Sequence, residues 1–144
     1  YEEVAYDLIP LQNEDAYQGA GMIGELEEAM DTINFLKFVK KEFNCGVIRH
    51  TKIVKQTVKR IAFCGGAGGF LLPQAKSQGA DIFITGDYKY HEFFDADNEI
   101  IIADIGHFES EQFTVNLIGE LLNEKNITFA VRFAETNTNP VKYL

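Results

Sequence analysis

The chain has 144 residues, 46% hydrophobic, 12% aromatic and 24% charged. That size suits one domain with a short appendage, able to bury roughly two-thirds of its unfolded surface without disulfide staples, and the composition excludes a disordered tail or a collagen-like repeat. Lys plus Arg number 13 against 22 Asp plus Glu, a net charge of −9 that argues against a general nucleic-acid footprint. No apolar stretch reaches the roughly 18 residues that a spanning helix needs. The first residues are Tyr1-Glu2-Glu3, with no Met and no signal or targeting pattern, which reads as a piece of something longer.

Val4 to Ile9 reads as a short strand closed by Pro10. Leu11 to Gly24 is polar and Gly-rich. Gly19, Gly21 and Gly24 fit either a close approach to a ligand or a bulged strand, and the bulged strand is the simpler reading. Asp31 to Phe43 predicts a helix. Its stripe is Ile33, Leu36, Val39 and Phe43, widened by Phe35 and Phe38. Asp31 or Thr32 caps its start, Lys40 and Lys41 suit its negative end, and Gly46 stops it. Val47 to His50 is a short strand.

Val58 to Cys64 is a clearer strand that runs straight into Gly65-Gly66-Ala67-Gly68-Gly69, followed by a helix over Phe70 to Ser77. The glycine loop has two readings, a phosphate cradle or a close packing turn. It lacks the Lys-Ser/Thr of a P-loop and is not GxGxxG. Ala80 to Thr85 completes a β-α-β unit, which builds parallel sheets. A short helix over Tyr90 to Asp97 and a strand over Ile100 to Asp104 come next. The following helix shows Phe113, Leu117, Ile118, Leu121 and Leu122 on one face. Thr128 to Ala134 predicts a last strand, before a polar tail with Pro140. The pattern as a whole is α/β: a mixed, largely parallel sheet layered with helices.

Cys45 and Cys64 lie far apart with no CxxC spacing, which excludes a zinc finger or redox pair and points to a reducing compartment, the cytoplasm. Cys45, beside Gly46, reads as a turn residue, and Cys64 as a buried inert thiol. The strongest chemical signal is GHFESE. His107 and Glu111, four apart on one helix face, are spaced to hold one divalent cation, with zinc, manganese, iron and cobalt all suited to that pair. The plainer reading is Glu109 and Glu111 stabilising a helix start. His91 follows Asp87 by four residues at the end of the preceding strand, so both loops open on one edge of the sheet. It reads as a proton carrier beside His107 or as a surface histidine. His50 shows no partner pattern and reads as solvated or structural. A catalytic metal takes three or more protein ligands, and this motif offers two.

The series GAGMIGEL (19–26), FCGGAGG (63–69), ITGDYKYHE (84–92), IADIGHFESE (102–111) and TNTNPV (136–141) resembles the C-terminal half of the Nif-three-like family, also known as dinuclear metal centre hexameric proteins or GTP cyclohydrolase type 2 homologues. The resemblance covers nearly the whole chain from about Gly19 onward. It implies that His107 and Glu111 are metal ligands of a two-cation site whose other ligands lie in an N-terminal half. It makes His91 a site-lining residue with a catalytic role. It also implies a homohexamer and an unknown small-molecule substrate, with no membrane or nucleic acid involved. Residues 1–13 resemble the end of an inserted PII-like or CutA-like domain and its linker, and 14–144 the C-terminal half of the α/β domain. The expected activity is hydrolase-like and metal-dependent in the full-length chain. The alternatives are a metal-binding scaffold without catalysis, and a nucleotide binder built on GGAGG.

Overall fold

The computed structural model describes residues 19–125, 128 and 130–144, so the strand expected at Val4 to Ile9 and the boundary at residue 13 lie outside the described residues. Among the described residues, five strands form one sheet in the order β1-β3-β4-β5-β2. The centre is parallel: β3 (Thr57–Phe63), β4 (Ile82–Thr85) and β5 (Ile101–Asp104) run side by side, with Ile61 opposite Ile82 and Ile82 opposite Ile101. The edges are antiparallel. β1 (Met22–Asp31) pairs with β3, and the two-residue β2 (Arg49–His50) pairs with β5. The mixed, largely parallel sheet expected from the sequence is therefore present.

Side chains alternate across the parallel strands, and each face builds its own core. Ile82, Ile84, Ile101 and Ala103 face one side, where α1 (Thr32–Glu42) lays down Phe35, Leu36 and Val39. Ala62, Phe83 and Ile102 face the other. There α2 (Leu72–Ser77) supplies Leu72 and Ala75, and the 3-10 turn Tyr90–Ala96 supplies Ala96. Both crossovers thus lie on the face opposite α1. Strands covered on both faces read as nearly continuous apolar runs, which is why IFIT and IIAD are wholly buried.

Asp31 caps α1 by accepting a hydrogen bond from the Asn34 N–H at 2.9 Å. The helix ends earlier than Gly46. Asn44 takes the left-handed conformation (φ 50°), and the Cys45 N–H reaches back to the Lys40 carbonyl. Cys45 follows the turn that ends α1, and its side chain is buried in the core beneath the helix. Of the three spaced glycines only Gly24 falls in β1, where its pairing is regular; the strand slips in register further on, between Glu25 and Met30.

One expectation fails near the C-terminus. Residues 130–144 have no regular secondary structure, so no strand forms over the described part of Thr128 to Ala134. A strand needs a neighbouring strand for its backbone groups. This segment instead crosses α4 (Thr114–Glu124), with the Phe133 ring against Gly119. The apolar face of α4 is also not core: Phe113, Leu117, Ile118 and Leu121 are all about half exposed. No helix among the described residues is long and apolar enough to cross a membrane.

Candidate functional site

The loops after β4 and β5 meet at the carboxyl end of the sheet, the edge where open α/β folds place their sites. Their approach depends on glycine. A side chain at Gly86 would sit 2.9 Å from the backbone of Gly106 and His107, too close for any Cβ. With that gap closed, the carboxylate of Asp87, itself at φ 54°, lies 2.7 Å from Nδ1 of His107. Across the ring, Nε2 of His107 lies 3.2 Å from Oε2 of Glu111 one helical turn on in α3 (His107–Glu111). The result is a line of three side chains, Asp87–His107–Glu111, each about half exposed.

Gly66 forms the floor beneath this line. It adopts φ +63°, and a Cβ there would meet Glu111 Oε1 at 2.6 Å and His107 Cε1 at 3.3 Å. The glycine loop is pinned from below. The Gly66 N–H donates to Ser110 Oγ (2.8 Å) and the Gly68 N–H to Thr85 Oγ1 (3.0 Å), while the Gly66 carbonyl accepts from the Gly86 N–H. With these two N–H groups satisfied inside the protein, GGAGG is a packing turn that shapes the site from beneath.

Asp104, at the end of β5, braces both loops. It is buried, accepts from the Tyr88 N–H (3.0 Å) and the Gly106 N–H (2.9 Å), and pairs with Arg49 of β2. The C-terminal tail closes the other side. Tyr143 packs on Gly46, and its hydroxyl and the carboxylate of the buried Glu109 both lie beside Gly106. Together these groups enclose a cavity of about 560 Å³ with His107, Glu111 and Asp87 on one wall and Asn139 to Val141 on another.

Hydrogen bonding to Asp87, reinforced by the charges of Asp87 and Glu111, raises the His107 pKa above its ordinary value. Burial pushes the Cys45 thiol up to about 11. Cys64 is raised too, by burial and then by the Glu111 charge, and its Sγ lies 3.0 Å from the Ala20 carbonyl. Both thiols stay protonated near neutral pH, in keeping with an inert Cys64.

The structure thus brings His107 and Glu111 together. It places His91 elsewhere, on the 3-10 turn, with its ring edge-on to Tyr90 at 5.3 Å and outside the lining of the His107 cavity. Sequence reasoning missed two participants. Asp87 was legible only as a neighbour of His91, yet its partner is His107. Tyr143 gave no signal, because nothing in a polar tail announces that it folds back over Gly46. Among the described residues, no group of three or more His, Cys, Asp or Glu side chains converges to hold a cation.

The model of the Duf34/NIF3 (NGG1p interacting factor 3) family matches residues 3–140. The chain belongs to this family. Similar proteins include the GTP cyclohydrolase 1 type 2 homolog of Bacillus subtilis, 32% identical over 148 residues, covering 100% of this chain and 40% of that protein. The homolog of the same name from Staphylococcus epidermidis is 34% identical and covers 99% of this chain and 40% of its own length. Among solved structures, a Bacillus cereus protein related to NIF3 matches with a TM-score of 0.75 and 32% identity, covering 100% of this chain and 41% of that one. The chain therefore spans about 40% of the length of the curated Duf34/NIF3 relatives it matches.

Proposed function

We propose that His107 and Glu111 are this chain's share of a divalent-cation centre, and that in a longer protein the centre serves hydrolase-like chemistry on a small molecule. The observation that carries this is the orientation of His107. Asp87 accepts the Nδ1 proton, which fixes the tautomer and turns the Nε2 lone pair toward Glu111 and the cavity. The donor set fits zinc, manganese, iron or cobalt: one imidazole nitrogen and one carboxylate, side by side, with a glycine floor that leaves the space open. When bound, such a cation lowers the pKa of a coordinated water and polarises an electrophilic oxygen. Asp87 orients the imidazole, Glu111 supplies the second donor and negative charge, and Asp104 with Arg49 holds the two loops in register. His91 lies against Tyr90 outside the lining of the His107 cavity, so a proton-carrying role there requires substrate to reach across from His107. The two buried thiols agree with a cytoplasmic setting, and the family resemblance with a hexamer and a second cation in the longer protein.

The test is a zinc titration of this chain by calorimetry. Two donors hold a cation weakly, so brief dialysis against a chelator removes it; His107→Ala and Glu111→Ala abolish the heat, and Asp87→Asn weakens binding about 10–100-fold. Zinc that binds His107→Ala as well as the native chain sinks the proposal. The pH dependence has two opposite signs. Protonated His107 donates to both carboxylates, so its stabilisation of the fold is complete below the ordinary histidine pKa of about 6.5 and is lost as pH rises through the raised value. Cation binding needs the neutral ring and strengthens over that same rise. A second reading, a metal-binding scaffold without catalysis, draws on the exposed apolar row of α4. Absence of hydrolysis of any nucleotide tried, in a metal-loaded full-length relative, favours it.

A further inference from the structure

The charge of the chain is unevenly placed. No acidic residue occurs between Glu42 and Asp81, although Asp and Glu outnumber Lys and Arg 22 to 13 overall. Arg49, Lys52, Lys55, Lys59 and Arg60 all fall in one part of that gap. Lys55 pairs with Asp81 and Arg60 with Glu25. Arg49, His50 and Lys52 instead border a second cavity of about 620 Å³, separate from the His107 site except that Arg49 touches both.

The opposite wall of this cavity is aromatic. Tyr90 and Phe94 are 71% and 69% exposed, and their rings stand edge-on at 5.7 Å, so a face of the pair is open to solvent. Phe93 lies deeper, with the Arg49 guanidinium 5.4 Å from its centroid. Arg49 is held in that pose: one Nη donates to the Tyr88 carbonyl and to the buried Asp104. Asp104 offsets one positive charge from below and Asp97 is the carboxylate on the rim, leaving His50 and Lys52 facing the aromatic wall.

We infer that this groove is a binding site for an aromatic ring that carries an anionic group, a ligand of mononucleotide size. Flat rings stack on exposed aromatic faces whatever their substituents, and a pre-oriented guanidinium beside an ammonium favours a phosphate or carboxylate. The volume falls in the range of small-ligand sites, roughly 300–1,000 Å³. The net charge of −9 disfavours a polyanion such as RNA, while the Arg49 guanidinium and the Lys52 ammonium at one cavity suit a single compact anion. The site needs no cation, so it stands or falls independently of the His107 proposal.

The experiment is an amide NMR titration of the 144-residue chain, without metal, using adenosine 5′-monophosphate as the probe and adenosine and inorganic phosphate as its two halves. The expected result is saturable shifts confined to residues 49–52 and 90–98, with each half binding at least tenfold more weakly. Phe94→Ala and Lys52→Glu alter exposed side chains, so the fold survives, and each weakens binding of the monophosphate at least tenfold. Absence of saturation overturns the inference. So does unchanged binding in both variants, or shifts that also follow Lys59 and Lys89 in proportion to charge. A groove that proves to seat a second copy, with sedimentation showing a dimer that Phe94→Ala dissolves, overturns it as well.

Discussion

α1 and α4 are both 11 residues long, and both carry an apolar stripe. α1 buries its stripe: Phe35, Leu36 and Val39 are 3%, 7% and 2% exposed against the sheet. α4 is the more apolar helix in sequence, yet the one residue it buries fully is Gly119. Periodicity therefore reports that a helix has an apolar face, not that this chain supplies the surface to cover it. For α1 the cover is the Ile82–Ile84 and Ile101–Ala103 face of the sheet. For α4 the cover within the described residues amounts to Phe133 lying across Gly119.

The comparison is breakable by mutation. Phe35→Ala opens a cavity in the core and costs about 3–5 kcal/mol, read as a lower denaturant midpoint. Asp31→Ala removes the α1 cap and costs about 1 kcal/mol in the same assay. The double change Leu117→Gln and Leu121→Gln on α4 shifts stability by less than about 0.5 kcal/mol per site, while lowering any self-association seen by sedimentation. A loss on α4 as large as that of Phe35→Ala would show that its stripe is core after all.

The same contrast explains what was legible in the sequence. Strands covered on both faces, such as Ile82–Thr85 and Ile101–Asp104, stand out as short apolar runs, and the order of strand, glycine loop and helix announces the parallel centre. β1 was harder to see. It lies at an edge, mixes Glu25, Glu27 and Glu28 with only two half-buried positions, and slips in register. For the site, the four-residue spacing of His107 and Glu111 was readable because it is local to one helix. The Asp87–His107 contact was not, because it arises from two loops brought together through Gly86, and loop approach leaves no periodic mark. His91 drew attention by residue type alone, and its ring lies against Tyr90 instead.

The edges of the sheet carry one more consequence. On one side β2 is only two residues long, and on the other β1 presents a run of glutamates. Short strands and like charges resist the addition of further strands. The expected route of any clustering at high concentration is therefore the α4 face, as helix-mediated species, rather than growth into cross-β fibrils. Thioflavin fluorescence staying flat while light scattering rises is the signature to look for.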